Sequence, residues 1–109
     1  MEIGHLIDAI EESMETKAAL TEELGKVSIE LSKAKYEYSI AYSKKLVEKE
    51  KSTRLPMQLV QGLTAKEKYK VDTLEDKKMH LFNRLENTRQ DINTLLTLLK
   101  TESELIKWW

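Results

Sequence analysis

From Val71 to Ile106 the chain reads VDTLEDKKMHLFNRLENTRQDINTLLTLLKTESELI. Steps of three and four residues taken alternately from Val71 land on Leu74, Lys78, Leu81, Leu85, Thr88, Ile92, Leu95, Leu99, Glu102 and Ile106, so eight of eleven positions are apolar. That spacing keeps one stripe of a helix turned toward a partner helix, which is the heptad seam of a coiled coil. Leu96, Leu98 and Leu105 lie beside the seam and widen its apolar face, so this end is expected to meet more than one neighbour.

Working back from the seam, Thr64-Ala65-Lys66-Glu67 has the spacing of a capping box, with Thr64 as the expected N-cap. A helix over 64–107 would be roughly 65 Å long at 1.5 Å per residue. Pro56 disfavours helical geometry at Leu55 and Gly62 precedes the cap, so a turn is expected over 54–63. Ten residues is long beside the usual two to eight of a helix–helix connection. Its Leu55, Met57, Leu59, Val60 and Leu63 are expected to fold back onto the helix ends.

The first half repeats the spacing less cleanly. Ile3, Ile7, Ile10 and Met14 form one stripe, and Leu20, Leu24, Val27, Leu31, Ala34, Tyr38 and Ala41 another, with a change of phase near Ala18-Ala19. A helix is expected over 3–53, with Lys17 and Gly25 marking where it would bend or break. The expected fold is all-α: one domain, 1–109, of two long antiparallel helices forming a helical hairpin or coiled coil. One hairpin buries one stripe of each helix, and apolar surface left in water forfeits about 25 cal/mol per Å². A homo-oligomer is therefore expected, with Leu81, Leu85, Ile92, Leu95, Leu96, Leu98, Leu99, Leu105 and Trp108 as its interface. The Trp108-Trp109 pair is expected to be covered, either there or by Ile3, Leu6 and Ile7 of the same hairpin.

Composition narrows the function. Charged residues make up 34% of the 109, above the roughly 25% of an ordinary globular domain, with one proline and three glycines. With no cysteine there is no disulfide framework or thiolate metal site. A basic start followed by an apolar segment is missing, and no apolar run approaches the ~20 residues that span a bilayer, so the expectation is a protein of the bacterial cytoplasm without a membrane partner. His5 and His80 are isolated, Gly62 stands alone, and Glu11-Glu12 and Glu22-Glu23 face different directions on a helix. No catalytic residue, metal or cofactor is expected, and the protein is read as a non-enzyme.

Charge is uneven along the chain. Residues 1–24 carry one lysine against seven acids, whereas 44–70 carry eight basic residues against three acids, a net +5 in 27 residues. A hairpin would collect Lys44, Lys45, Lys49, Lys51, Arg54, Lys66, Lys68 and Lys70 at its tip, with Tyr42 and Tyr69 among them. Lysines that neutralise phosphates beside rings that stack on unpaired bases suit single-stranded nucleic acid. The competing reading is a solvated or internally paired charge pattern, for which the acidic first 24 residues are an available partner. Tyr38, on the apolar stripe, is expected in the core.

The acidic amphipathic start, Tyr36-x-Tyr38 and Tyr42 leading into Lys44-Lys45 and Lys49-Glu50-Lys51, the turn with Pro56 and Gly62, and the leucine-rich second helix resemble small helical proteins of bacteriophage and prophage early regions. The layout is distantly similar to UvsY-type recombination mediators. That resemblance implies an oligomer that holds single-stranded DNA through basic residues at a helix end, here Lys49, Lys51 and Arg54, and helps load a recombinase onto strands coated with single-strand-binding protein. The expected function is a phage accessory protein that binds single-stranded DNA at the hairpin tip in recombination or replication. The alternative is a coiled-coil interaction module, such as a phage inhibitor or adaptor of a host target protein.

Overall fold

The computed structural model describes residues 2–51 and 57–107, the side chains of 50, 51, 106 and 107 excepted. Every element among them is an α-helix: α1 (Ile3–Lys51), α2 (Met57–Leu63) and α3 (Ala65–Lys107). The fold is the expected all-α one, with the long helices α1 and α3 packed antiparallel and α2 in the connection. Two compact units make up the chain. Unit 1 holds residues 1–24 and 80–109, and unit 2 holds Gly25–Met79.

In unit 2, Leu31, Ala34 and Val71 form a buried cluster against which Tyr38 and Leu74 pack. Tyr38 is thus in the core, as its place on the stripe requires. Two interhelical ion pairs flank the cluster, Lys35 with Glu75 at 3.4 Å and Lys70 with Glu37 at 3.7 Å. Rising residue numbers on α1 meet falling ones on α3, which fixes the antiparallel sense.

Seam positions can be lettered a and d through both helices, with e and g flanking them. On α3 the seam of Val71, Leu74, Leu81, Leu85, Thr88, Ile92, Leu95, Leu99 and Glu102 is buried or half-buried as expected, and only Lys78 reaches solvent. On α1 the seam runs through Ile3, Leu6, Ile10, Ser13, Lys17, Leu20, Leu24, Val27, Leu31, Ala34, Tyr38, Ala41 and Lys45, all buried or half-buried, with Ala9, Ser28, Tyr42, Leu46 and Lys49 half-buried beside it. The seam is an unbroken alternation of three and four. The expected change of phase near Ala18-Ala19 is therefore absent and α1 runs uninterrupted through 17–25. Leu6 takes the seam position expected of Ile7, and Ser13 that of Met14. Ile7 and Met14 stand on the e flank, 42% and 55% exposed. A serine and a lysine on the seam disguise its continuity, because the repeat tolerates occasional polar positions that limit register at some cost in stability.

In unit 1 the same alternation sets Leu6, Ile10 and Leu20 of α1 against Leu81, Leu85 and Ile92 of α3, each under a tenth exposed. Removing one such side chain from water contributes about 1.5–3 kcal/mol.

Part of the expected turn over 54–63 is itself helical. Met57–Leu63 is helical, and Val60 and Thr64, 0% and 1% exposed, extend the α3 seam backward by one heptad. The Thr64 amide donates to the Val60 carbonyl at 3.2 Å and the Lys68 amide to the Thr64 carbonyl at 3.1 Å. Helical bonding thus passes through the residue expected to start the helix. The Thr64 hydroxyl donates backward, to Val60 O at 2.9 Å, and does not cap α3. The capping-box reading is corrected, since the Thr64 hydroxyl is turned back onto the Val60 and Gln61 carbonyls of α2. Residues 52–56, with the Pro56 turn and the last residues of the expected 3–53 helix, lie outside the described residues, as does the Trp108-Trp109 pair.

Candidate nucleic-acid interface

The basic residues singled out by sequence all fall in unit 2 except that Lys51 and Arg54 have no described side chains. Heptad position sorts the rest onto two flanks of the α1/α3 seam. Lys44 and Lys70 occupy g positions and Lys66 a c position beside them, with Tyr69 next on the outer face. Lys49 and Lys68 occupy e positions, with Tyr42. Lys45 is on the seam itself, half-buried.

The e flank is largely engaged with itself. Tyr42 donates its hydroxyl to Met57 Sδ at 3.5 Å, which ties α2 to α1, and its ring lies 5.9 Å from that of Tyr38 at 35°. Lys68 stands with Nζ 5.9 Å from the Tyr38 ring centre and also meets Asp72 at 3.6 Å. Tyr42 and Lys68, with Tyr38 and Gln61, line a shallow cleft of about 410 Å³. Stacking Tyr42 on a base would require it to leave these contacts.

The g flank is more open. One groove of about 330 Å³ is lined by Lys44, Lys45, Glu48, Glu37, Glu67 and the apolar Ile40 and Leu63, among others. A second, of about 370 Å³, is lined by Lys66, Lys70, Tyr69, Glu37, Glu67 and Ala34. Tyr69 is 74% exposed, so its ring is available without rearrangement. Lys45 pairs with Glu48 at 3.3 Å and Lys70 with Glu37 at 3.7 Å. Lys44, Lys49 and Lys66 make no ion pair with any described residue. Half of the described lysines of the cluster are thus held by acids, all of them within unit 2 and none from the acidic first 24 residues. Composition overlooked Glu37, which serves as counter-ion to Lys70. The signal for it was its g position on α1, since g faces g across an antiparallel seam.

Glu67 is the unusual member. It sits at a d position between the two grooves, and its Oε2 is buried with no hydrogen-bond partner. No group of three or more His, Asp or Glu among the described residues is arranged to hold a metal ion.

The residues expected at an oligomer interface divide as well. Leu81, Leu85 and Ile92 are covered within the chain by the α1 seam, and Leu95 and Leu99 are half-buried in it. They cannot offer an apolar surface to another molecule while the hairpin is closed. Leu96, Leu98 and Leu105 remain 47%, 42% and 50% exposed. Trp108 lies outside the described residues. With Ile7, Met14 and Phe82 they leave unit 1 with apolar side chains in water, the condition that favours a partner or self-assembly. No described helix is long and apolar enough to cross a membrane. No family model, curated protein or solved structure matches the chain.

Proposed function

We propose that this is a non-enzymatic accessory protein that binds single-stranded DNA on the g flank of unit 2, in the manner of phage recombination mediators of the UvsY type. The observation that carries the reading is the combination of two lysines that pair with no acid among the described residues, Lys44 and Lys66, with the exposed ring of Tyr69 beside Lys66 and Lys70. Ammonium groups with no internal counter-ion release condensed cations from a phosphate backbone, and one exposed ring contributes about 1–3 kcal/mol by stacking on an unpaired base. Grooves whose lining also includes Glu37, Glu48 and Glu67 suit a flexible single strand, whose phosphates can step around the carboxylates, better than a rigid duplex.

The test is fluorescence anisotropy of a labelled oligothymidine across a salt series. Affinity is expected to fall steeply with salt, to be lost when Lys44→Glu and Lys66→Glu are combined, and to drop about five- to a hundredfold in Tyr69→Ala. Lys49→Glu, on the opposite flank, is expected to change it little. Wild-type protein that does not bind at low salt overturns the proposal.

A second reading has its own observation. Ile7, Met14, Phe82 and Leu96 all occupy e positions of unit 1 and are 42%, 55%, 51% and 47% exposed. This flank would dock an apolar helix of a recombinase, a single-strand-binding protein or a host target. Leu96→Glu abolishing capture of such a protein while oligonucleotide affinity stays intact would support it.

A further inference from the structure

We infer that the acidic face of unit 1 docks on the basic g flank of unit 2 of a second copy, so that two chains pair head to tail in a closed two-fold dimer. Charge is segregated between the units. Unit 2 carries thirteen basic residues against eight acids, net +5, and unit 1 five against eleven, net −6. All of the excess in unit 1 comes from residues 1–24, since 80–109 holds four of each sign.

Internal ion pairs do not neutralise this segregation. Among the described residues, the pairs of unit 2 leave Lys44 and Lys66 without an acid, and Asp8, Glu12, Glu15 and Glu23 of unit 1 make no ion pair. Those four carboxylates occupy the f, c, f and g positions of α1, which are adjacent strips of one helix face. Every other copy of the chain carries the complementary charge on its unit 2.

Apolar surface accompanies the charge on both sides of the contact. Leu98 and Leu105 hold g positions beside the acidic strip, and Ile40 and Leu63 lie in the groove with Lys44, all of them exposed. Under a two-fold axis the contact forms twice. Each occurrence then needs only about 400 Å² per copy to reach the roughly 800 Å² per partner of a stable interface. Complementary fields also specify orientation, since a pair with matching ends together sets like charges against each other. The inference does not rest on DNA binding, although it places a sibling's carboxylates where phosphates would sit.

The test is sedimentation equilibrium of the full chain without nucleic acid. A dimer is expected at low salt, with a dissociation constant that rises at least about tenfold by 1 M, where the screening length falls to about 3 Å. Two variants sharpen it: one combining Glu12→Lys with Glu15→Lys, the other Lys44→Glu with Lys66→Glu. Each alone is expected to be monomeric, and an equimolar mixture to form the dimer again, because the mixed pair restores opposite charge at both contacts. Circular dichroism melts show whether the variants fold; if one does not, the salt series of the wild type decides. A wild-type monomer, a dimer indifferent to salt, or folded variants that dimerise alone or fail to pair when mixed would each overturn the inference. Loss of oligonucleotide binding with the charge exchange intact would remove only the DNA reading.

Discussion

The Thr64 hydroxyl donates to the Val60 carbonyl at 2.9 Å, onto the same oxygen that accepts the Thr64 amide at 3.2 Å. One carbonyl thereby ties α2 to α3 and carries the seam across their junction. The residue is 1% exposed, so its branched shape matters to packing and its hydroxyl adds only a second donor to an occupied acceptor. Thr64→Val keeps the shape and strands no donor. In urea unfolding followed by circular dichroism it is expected to stay within about 1 kcal/mol of wild type or to gain. A helix cap would lose about 1–2 kcal/mol on the same change, so a loss of that size would argue that the Thr64 hydroxyl caps α3 in solution.

The unbroken α1 seam yields a second pair of outcomes. Leu20, 4% exposed, faces α3, whereas Met14, 55% exposed, stands on the e flank. Leu20→Ala is expected to cost about 2–5 kcal/mol through lost burial and a residual cavity. Met14→Ser is expected to cost under about 0.5 kcal/mol in the isolated chain, as surface changes usually do. Equal losses at the two sites would restore the stripe that runs through Ile3, Ile7, Ile10 and Met14.

These two cases mark what the amino-acid pattern reveals. The α3 seam was legible because eight of its eleven positions are apolar, and the antiparallel pairing followed from one proline-containing connection between two long repeats. The α1 phase was obscured by Ser13 and Lys17, whose side chains say surface while their positions say seam. The start of the returning helix was legible, since α3 begins at Ala65, but the role of Thr64 was obscured for a related reason: Thr64 and Glu67 match a capping box letter for letter, yet both lie on the seam. A local motif and the heptad register competed, and burial decided for the register. The basic cluster was legible as composition, but its division into two flanks depends on heptad letters that the misread phase had blurred. Glu37 as the counter-ion of Lys70 became visible only with the register in hand.

Gly25 sits inside α1 with no positive φ, and a Cβ built on it meets nothing within 4 Å. The glycine therefore serves no close approach and no turn. Gly25→Ala removes backbone freedom from the unfolded chain without a clash, and is expected to raise stability by about 0.5–1 kcal/mol, seen as a higher melting temperature. A destabilised variant would mean that α1 bends at this residue in solution.

Glu67 combines a seam position with a carboxylate oxygen that is buried and unpartnered. A buried polar atom without a partner costs about 1–3 kcal/mol, and an apolar side chain of similar reach avoids that cost beside Ala34. Glu67→Leu is therefore expected to raise the unfolding free energy by about 1 kcal/mol or more, the residue being only partly shielded. Glu67→Gln keeps the need for partners and is expected to stay near wild type in stability. Both remove a negative charge from between Lys44 and Lys66, so both are expected to tighten oligonucleotide binding by a similar factor, separating the electrostatic effect from the packing one. If Glu67→Leu lowers stability, the carboxylate has a partner in solution; if neither variant changes affinity, the strand does not pass between the two grooves.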